Sequence, residues 1–137
     1  MARRSWIERD VVIVACAVSA GIHGALVPEH LDESMGAGLG FVVATVLFAA
    51  LAVGLTLGIG STGLVAAVAV FAGLLASYGL AITTGLPLLH PEPEAVDALA
   101  LATKAVELVG LAAAGHLLLR GRAVALPITP RPKGRTT

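Results

Sequence analysis

The chain has 137 residues, 57% hydrophobic and 13% charged, with a net charge of zero and a mean hydropathy of +0.92. Soluble domains carry about 25% charged residues, and a chain this short has too little polar surface to enclose so much apolar mass, which excludes a soluble globular fold. Balanced charge supplies no basic field for nucleic acid, so no nucleic-acid partner is expected and the lipid bilayer is.

About 20 consecutive apolar residues cross the hydrocarbon core as a helix, and hydropathy predicts four such spans. The first covers residues 11–27, the second 36–57, the third 64–85 and the fourth 96–119. No charged side chain occurs between Met35 and Leu89, a run long enough for two spans. "GIGSTG" (58–63) reads as the turn between the second and third. "GLPLLHPEPEAVD" (85–97) joins the third to the fourth, and Pro91 and Pro93 are expected to keep it extended. Residues 123–137, rich in proline and cations without an apolar pattern, read as a disordered tail. The expected fold is all-α: one transmembrane domain over residues 1–122, arranged as a four-helix bundle.

Topology follows from the cations. Arg3, Arg4 and Arg9 precede the first span, and Arg120, Arg122, Arg131, Lys133 and Arg135 follow the fourth. The first and third connections hold Glu29, Asp32, Glu33, Glu92, Glu94 and Asp97 instead. The positive-inside rule then places both termini in the cytoplasm. The Ala/Gly/Val/Leu-rich composition suits a bacterial cytoplasmic (inner) membrane. "VSA" (18–20) and "IVAC" (13–16) loosely match processing sites, but Glu8 and Asp10 interrupt the uncharged stretch that cleavage needs. The first helix is expected to stay intact. Cys16 is the only cysteine, so no intramolecular disulfide forms.

Small residues recur at helical spacing, with Ala17, Ala20, Gly21 and Gly24 on the first helix and Gly54 and Gly58 on the second. Such spacing lets helix backbones approach closely in lipid. Polar residues also share faces. Cys16, Ser19, His23 and His30 fall within about a 60° arc of the first helix, and Asp97, Lys104 and Glu107 within about an 80° arc of the fourth. Intramembrane polar groups turn to the bundle interior. Depth along each helix brings His23, Tyr78, Lys104 and Glu107 into one polar layer in the outer half, with Thr83 and Thr84 at its mouth. Pro28 cannot donate to the carbonyl of Gly24, which leaves that oxygen needing a partner beside His23. His116 lies deeper and on another face, near Arg120, too far from His23 to share a metal ion.

Three functional readings follow. The first is a transition-metal site, Cu or Zn, at the outer face. Its ligands would be His23, His30, Glu29, Glu33 and His90, with Glu92 and Glu94 nearby, since imidazole and carboxylate suit both metals. The plain alternative is a solvated acidic loop. The second is proton-linked handling of a small solute through the buried layer, because histidine switches charge near neutral pH. Its plain alternative is a structural Lys104–Glu107 lock, and transport by four short helices would call for a homo-oligomer. The third is a non-catalytic accessory or assembly subunit of a larger membrane complex. Phosphate loops, nucleophile elbows and Cys-x-x-Cys pairs are absent from the sequence, so an enzyme is the least expected class.

His23 followed by "PEH" (28–30) at the end of the first span, within a four-span layout, resembles small bacterial four-helix membrane proteins without assigned activity. The resemblance implies the same layout and lends no functional residue.

Overall fold

In the computed structural model, the backbone is described for residues 2–86 and 93–125, and side chains for 5–86 and 93–121. Four helices follow in order: α1 (Ala2–Glu33), α2 (Met35–Leu57), α3 (Gly60–Thr83) and α4 (Ala98–Ala125). Each is long and apolar enough to cross a membrane, so the chain is a multi-pass membrane protein. The helices pack in a ring. α1 makes its most extensive contact with α2 and also packs on α4, which packs on α3, while α2 and α3 touch more lightly than these neighbours.

Helix ends depart from the hydropathy limits for a physical reason. Hydropathy marks the stretch that suits hydrocarbon, whereas the hydrogen-bond ladder runs on through polar ends. α1 therefore starts nine residues before Val11 and continues past Pro28 to Glu33. Proline removes one donor from the ladder, and the turns on either side hold the helix together across it. Glu29, Asp32 and Glu33 thus belong to the last turns of α1 rather than to a loop. α4 runs to Ala125, so residues 123–125 of the expected disordered tail are helical. Residues 126–137 lie outside the described residues.

The connections are short and specific. Ser34 alone separates α1 from α2. It is extended (φ −158°, ψ 143°), and its hydroxyl accepts from the Ala37 amide at 3.0 Å, while its own amide donates to the His30 carbonyl at 3.0 Å. At this corner a Cβ on Gly38 would stand 2.8 Å from the Leu31 backbone, so only glycine lets α2 start so close to α1. The expected six-residue turn between α2 and α3 contracts to Gly58 and Ile59, because α3 already begins at Gly60. Gly58 ends α2 with a left-handed φ of 94°, the usual helix stop. Between α3 and α4, the Glu94 amide donates to the Ala81 carbonyl at 3.0 Å, which ties the connection back onto α3.

Asp97 caps α4, its carboxylate accepting from the Ala100 amide at 2.7 Å. Loss of an N-cap costs about 1 kcal/mol. Asp97→Ala is therefore expected to lower stability by about that amount, read as an earlier midpoint of unfolding in mixed detergent micelles.

The interior is built from Val12, Ala15 and Cys16 of α1, Phe48, Leu51 and Leu55 of α2, Ala67 and Phe71 of α3 and Ala114 of α4. Phe48 and Phe71 meet at 5.0 Å between ring centres. Large apolar side chains such as Val14, Val46, Val53, Leu57 and Leu108 point outward, as lipid-facing side chains do. Gly24 packs against Thr45 of α2, whereas a Cβ on Gly21 would meet nothing. Of the small residues noted on α1, Gly24 therefore faces α2 closely and Gly21 faces outward.

Candidate functional site

The polar stripe of α1 turns inward. Cys16 and Ser19 have no exposed surface and His23 is 5% exposed. Across from them on α4, Glu107 is completely buried. Lys104, one turn earlier, reaches Glu107 Oε2 with its Nζ at 2.8 Å. His23 Nε2 stands 3.7 Å from the other oxygen, Oε1. The imidazole is held by its second nitrogen, Nδ1, which donates to the Ser19 carbonyl at 2.9 Å. Phe41 and Phe48 of α2 flank the ring at 5.3 and 5.8 Å. Tyr78 of α3 completes the layer, with the Lys104 ammonium 5.3 Å from its ring centre.

These contacts fix which nitrogen of His23 faces the carboxylate. A carbonyl only accepts, so Nδ1 carries hydrogen. In a neutral His23 the lone pair of Nε2 then faces Glu107 Oε1, and Oε1 has no hydrogen-bond partner. Two acceptors confront each other in a buried space. A proton on either atom turns the confrontation into a hydrogen bond or an ion pair. The charged groups facing the pair are Lys104 on α4 and, when protonated, His30 on α1. α2 and α3 carry no Asp, Glu, Lys or Arg, and α3 adds Tyr78, whose hydroxyl also lacks a partner.

The structure thus brings His23, Tyr78, Lys104 and Glu107 together, as their depths predict. Asp97 is not among them, because it is an exposed helix cap. Thr83 and Thr84 are exposed at the end of α3, where their hydroxyls donate to the Gly79 and Leu80 carbonyls. The proposed metal ligands do not gather. His30 is half-buried, donates from Nδ1 to the Leu26 carbonyl at 2.9 Å and stacks on Phe41 at 3.7 Å. Glu29 and Glu33 are exposed, and His23 lies two turns deeper. Three or more His, Cys, Asp or Glu side chains never converge among the described residues. His90 and Glu92 lie outside them.

At the end of the bundle where α1 begins and α4 ends, His116 Nδ1 sits 3.2 Å from Glu8 Oε1 and Arg120 4.0 Å from the same oxygen. The placement of His116 near Arg120 agrees with the sequence, but Glu8 between them was not anticipated. The signal was present, since Glu8, Val12, Ser19 and His23 share one face of α1 at intervals of four, seven and four residues. Arg9, its neighbour, donates to the Leu55 carbonyl at the end of α2.

Comparison with known proteins finds no matching family model, no matching curated protein and no matching solved structure. The functional reading therefore rests on the residues themselves.

Proposed function

We propose that this membrane protein binds a proton between His23 and Glu107 and couples it to the movement of a small solute through the outward half of the bundle. The observation that carries the reading is His23 Nε2 set 3.7 Å from Glu107 Oε1, with the two side chains 7% and 0% exposed and that oxygen without a hydrogen-bond partner. A purely structural ion pair would satisfy both oxygens of a buried carboxylate. Here Lys104 satisfies one, and the other faces the one side chain in the layer whose charge switches near neutral pH. Lys104 supplies the counter-charge that keeps a buried carboxylate tolerable. Tyr78, with a free hydroxyl beside Lys104, supplies a polar contact for the solute. Both termini lie on the cytoplasmic side in this reading, by the distribution of cations, and the layer opens outward.

Uptake into proteoliposomes tests the proposal. Under an imposed pH gradient, at least one class among labelled small cations, anions and zwitterions is expected to accumulate in vesicles with wild-type protein. The accumulation collapses when the gradient is dissipated, and Glu107→Gln abolishes it. Uptake that ignores the gradient, or that the variant retains, contradicts the proposal.

A further inference from the structure

The Lys104 ammonium and the Glu107 carboxylate cancel each other's charge, so with a neutral His23 the polar layer carries no net charge. One proton between His23 and Glu107 raises the layer to +1, whichever atom holds it. Glu107 is the one fully buried carboxylate among the described residues, so no second one absorbs that charge. α2 and α3 have no Asp, Glu, Lys or Arg. On α4, Asp97 is exposed and lies about 15 Å of helix rise from Glu107. On α1, Glu29 is exposed and lies about 9 Å of rise from His23. His30, the other titratable group facing the pair from α1, adds a further positive charge when protonated, and α3 adds only the Tyr78 hydroxyl. An uncompensated charge inside a membrane protein is costly. A counter-ion that arrives with the proton removes that cost.

Which charge a solute can reach points to the same sign. The Lys104 side chain is 16% exposed, whereas that of Glu107 has no exposed surface. A solute entering the layer therefore meets the ammonium before the carboxylate. A cation is repelled there, and once bound it would compete with the proton instead of accompanying it. A zwitterion leaves the added charge in place. An anion meets its complement. The ammonium lies 5.3 Å from the centre of the Tyr78 ring, and the Tyr78 hydroxyl is buried without a hydrogen-bond partner. A phenol hydroxyl donates as an ammonium does, so the layer holds two neighbouring donors suited to one acceptor.

We infer that the solute of this site is a small monoanion, held by the Lys104 ammonium and the Tyr78 hydroxyl, and that it binds together with the proton. The inference rests on the proton-binding reading of His23 and Glu107 and names the class of solute for it. A proton on Glu107, or shared with it, weakens the carboxylate's hold on the ammonium, and the anion takes over as counter-charge. The proton comes from water and returns to water, and no other bond is made or broken. Proton and anion then enter and leave as a neutral pair, so a pH gradient drives the movement and a membrane potential does not. An anion that prefers the protonated layer must, by linkage, raise the pH at which the layer takes up its proton. Glu107→Gln holds the layer at +1 at every pH, so it binds the anion without pH dependence.

The test uses the full chain, labelled with ¹⁵N-histidine and ¹⁵N-lysine, in phosphatidylcholine bilayers with gluconate as the background anion. Chloride, nitrate and formate are the anion probes and methylammonium is the cation probe. At least one of the three anions is expected to raise the pH midpoint of the His23 Nε2 transition by about one unit, the linkage counterpart of tenfold tighter binding to the protonated layer. Methylammonium should not raise it. The same anion should perturb the Lys104 Nζ resonance only below the midpoint in wild type, but equally at low and high pH in Glu107→Gln. Tyr78→Phe removes an unpartnered hydroxyl and should weaken the anion about tenfold, the scale of one hydrogen bond to a charged group. Lys104→Met/Glu107→Leu should abolish the anion effect. Three anions without effect on the midpoint, or a midpoint lowered by methylammonium in their place, would overturn the inference while the proton reading stands on the dependence of His23 on Glu107. So would an anion effect that survives the double variant, and unchanged binding in Tyr78→Phe would overturn the hydroxyl's part. A His23 transition indifferent to Glu107 before any probe is added overturns the proton reading, and this inference with it.

Discussion

Glu107→Ala is expected to destabilise the bundle by about 3–5 kcal/mol, the cost of leaving one member of a buried ion pair alone. Lys104 has 16% of its side chain exposed and its ammonium already lies against Tyr78, so it reaches no new acceptor when the carboxylate goes. The double variant Lys104→Met/Glu107→Leu should recover that loss, since apolar side chains of similar size replace a buried pair at little or no cost. Reversible unfolding in mixed detergent micelles, followed by helical circular dichroism, gives both numbers. A double variant as unstable as the single one would show that the pair contributes more than mutual neutralisation. The double variant also separates structure from function, because a stable bundle without Glu107 should show no proton-linked activity. A protein kept only for its Lys104–Glu107 lock would lose nothing by the exchange.

Gly110→Leu is expected to cost at least about 3 kcal/mol, the upper part of the range for overfilling a packed core. Even a Cβ at this position would lie 2.4 Å from the Phe71 ring and 2.9 Å from the Ala15 Cβ. Phe71 is fully buried against Phe48, and Ala15 is fixed on the α1 backbone, so neither is free to yield. α1, α3 and α4 meet here, one turn from Glu107 on the way to His116. In lipid, helix association depends on such close contact rather than on expulsion of water. The same unfolding measurement applies, with Gly115→Leu as the comparison, since a Cβ at Gly115 meets nothing within 4 Å. Equal losses for the two variants would contradict the packing described.

The spans and the polar layer were legible in the sequence because both rest on local signals. Uncharged runs mark hydrocarbon-length helices, and residues three and four apart share a helix face. His23, Lys104 and Glu107 each lie on such a face, and depth counted at 1.5 Å per residue brought them to one level. Positions set by close contact were not legible. Gly110 carries no signal apart from the other fifteen glycines, and its role depends on where the Phe71 ring falls in three dimensions. Pro28 reads as a helix stop, yet the turns around it carry α1 onward to the single-residue corner at Ser34. Among the described residues, the ligands considered for a metal do not converge. His30 is engaged by Phe41 and its own helix, and Glu29 and Glu33 face outward. Glu8 escaped notice because a carboxylate before the first apolar run looks like an ordinary interfacial charge until His116 is placed beside it.

The central claim is that His23 and Glu107 share a proton inside the bundle. Nitrogen NMR of ¹⁵N-histidine-labelled protein in bilayers, followed across pH in wild type and in Glu107→Gln, tests it most directly. The expected spectra show His23 Nδ1 protonated throughout, bound to the Ser19 carbonyl. They show a pH-dependent Nε2 resonance in wild type that changes its course when Glu107 is replaced. An Nε2 resonance that follows the same course in both proteins would contradict the claim.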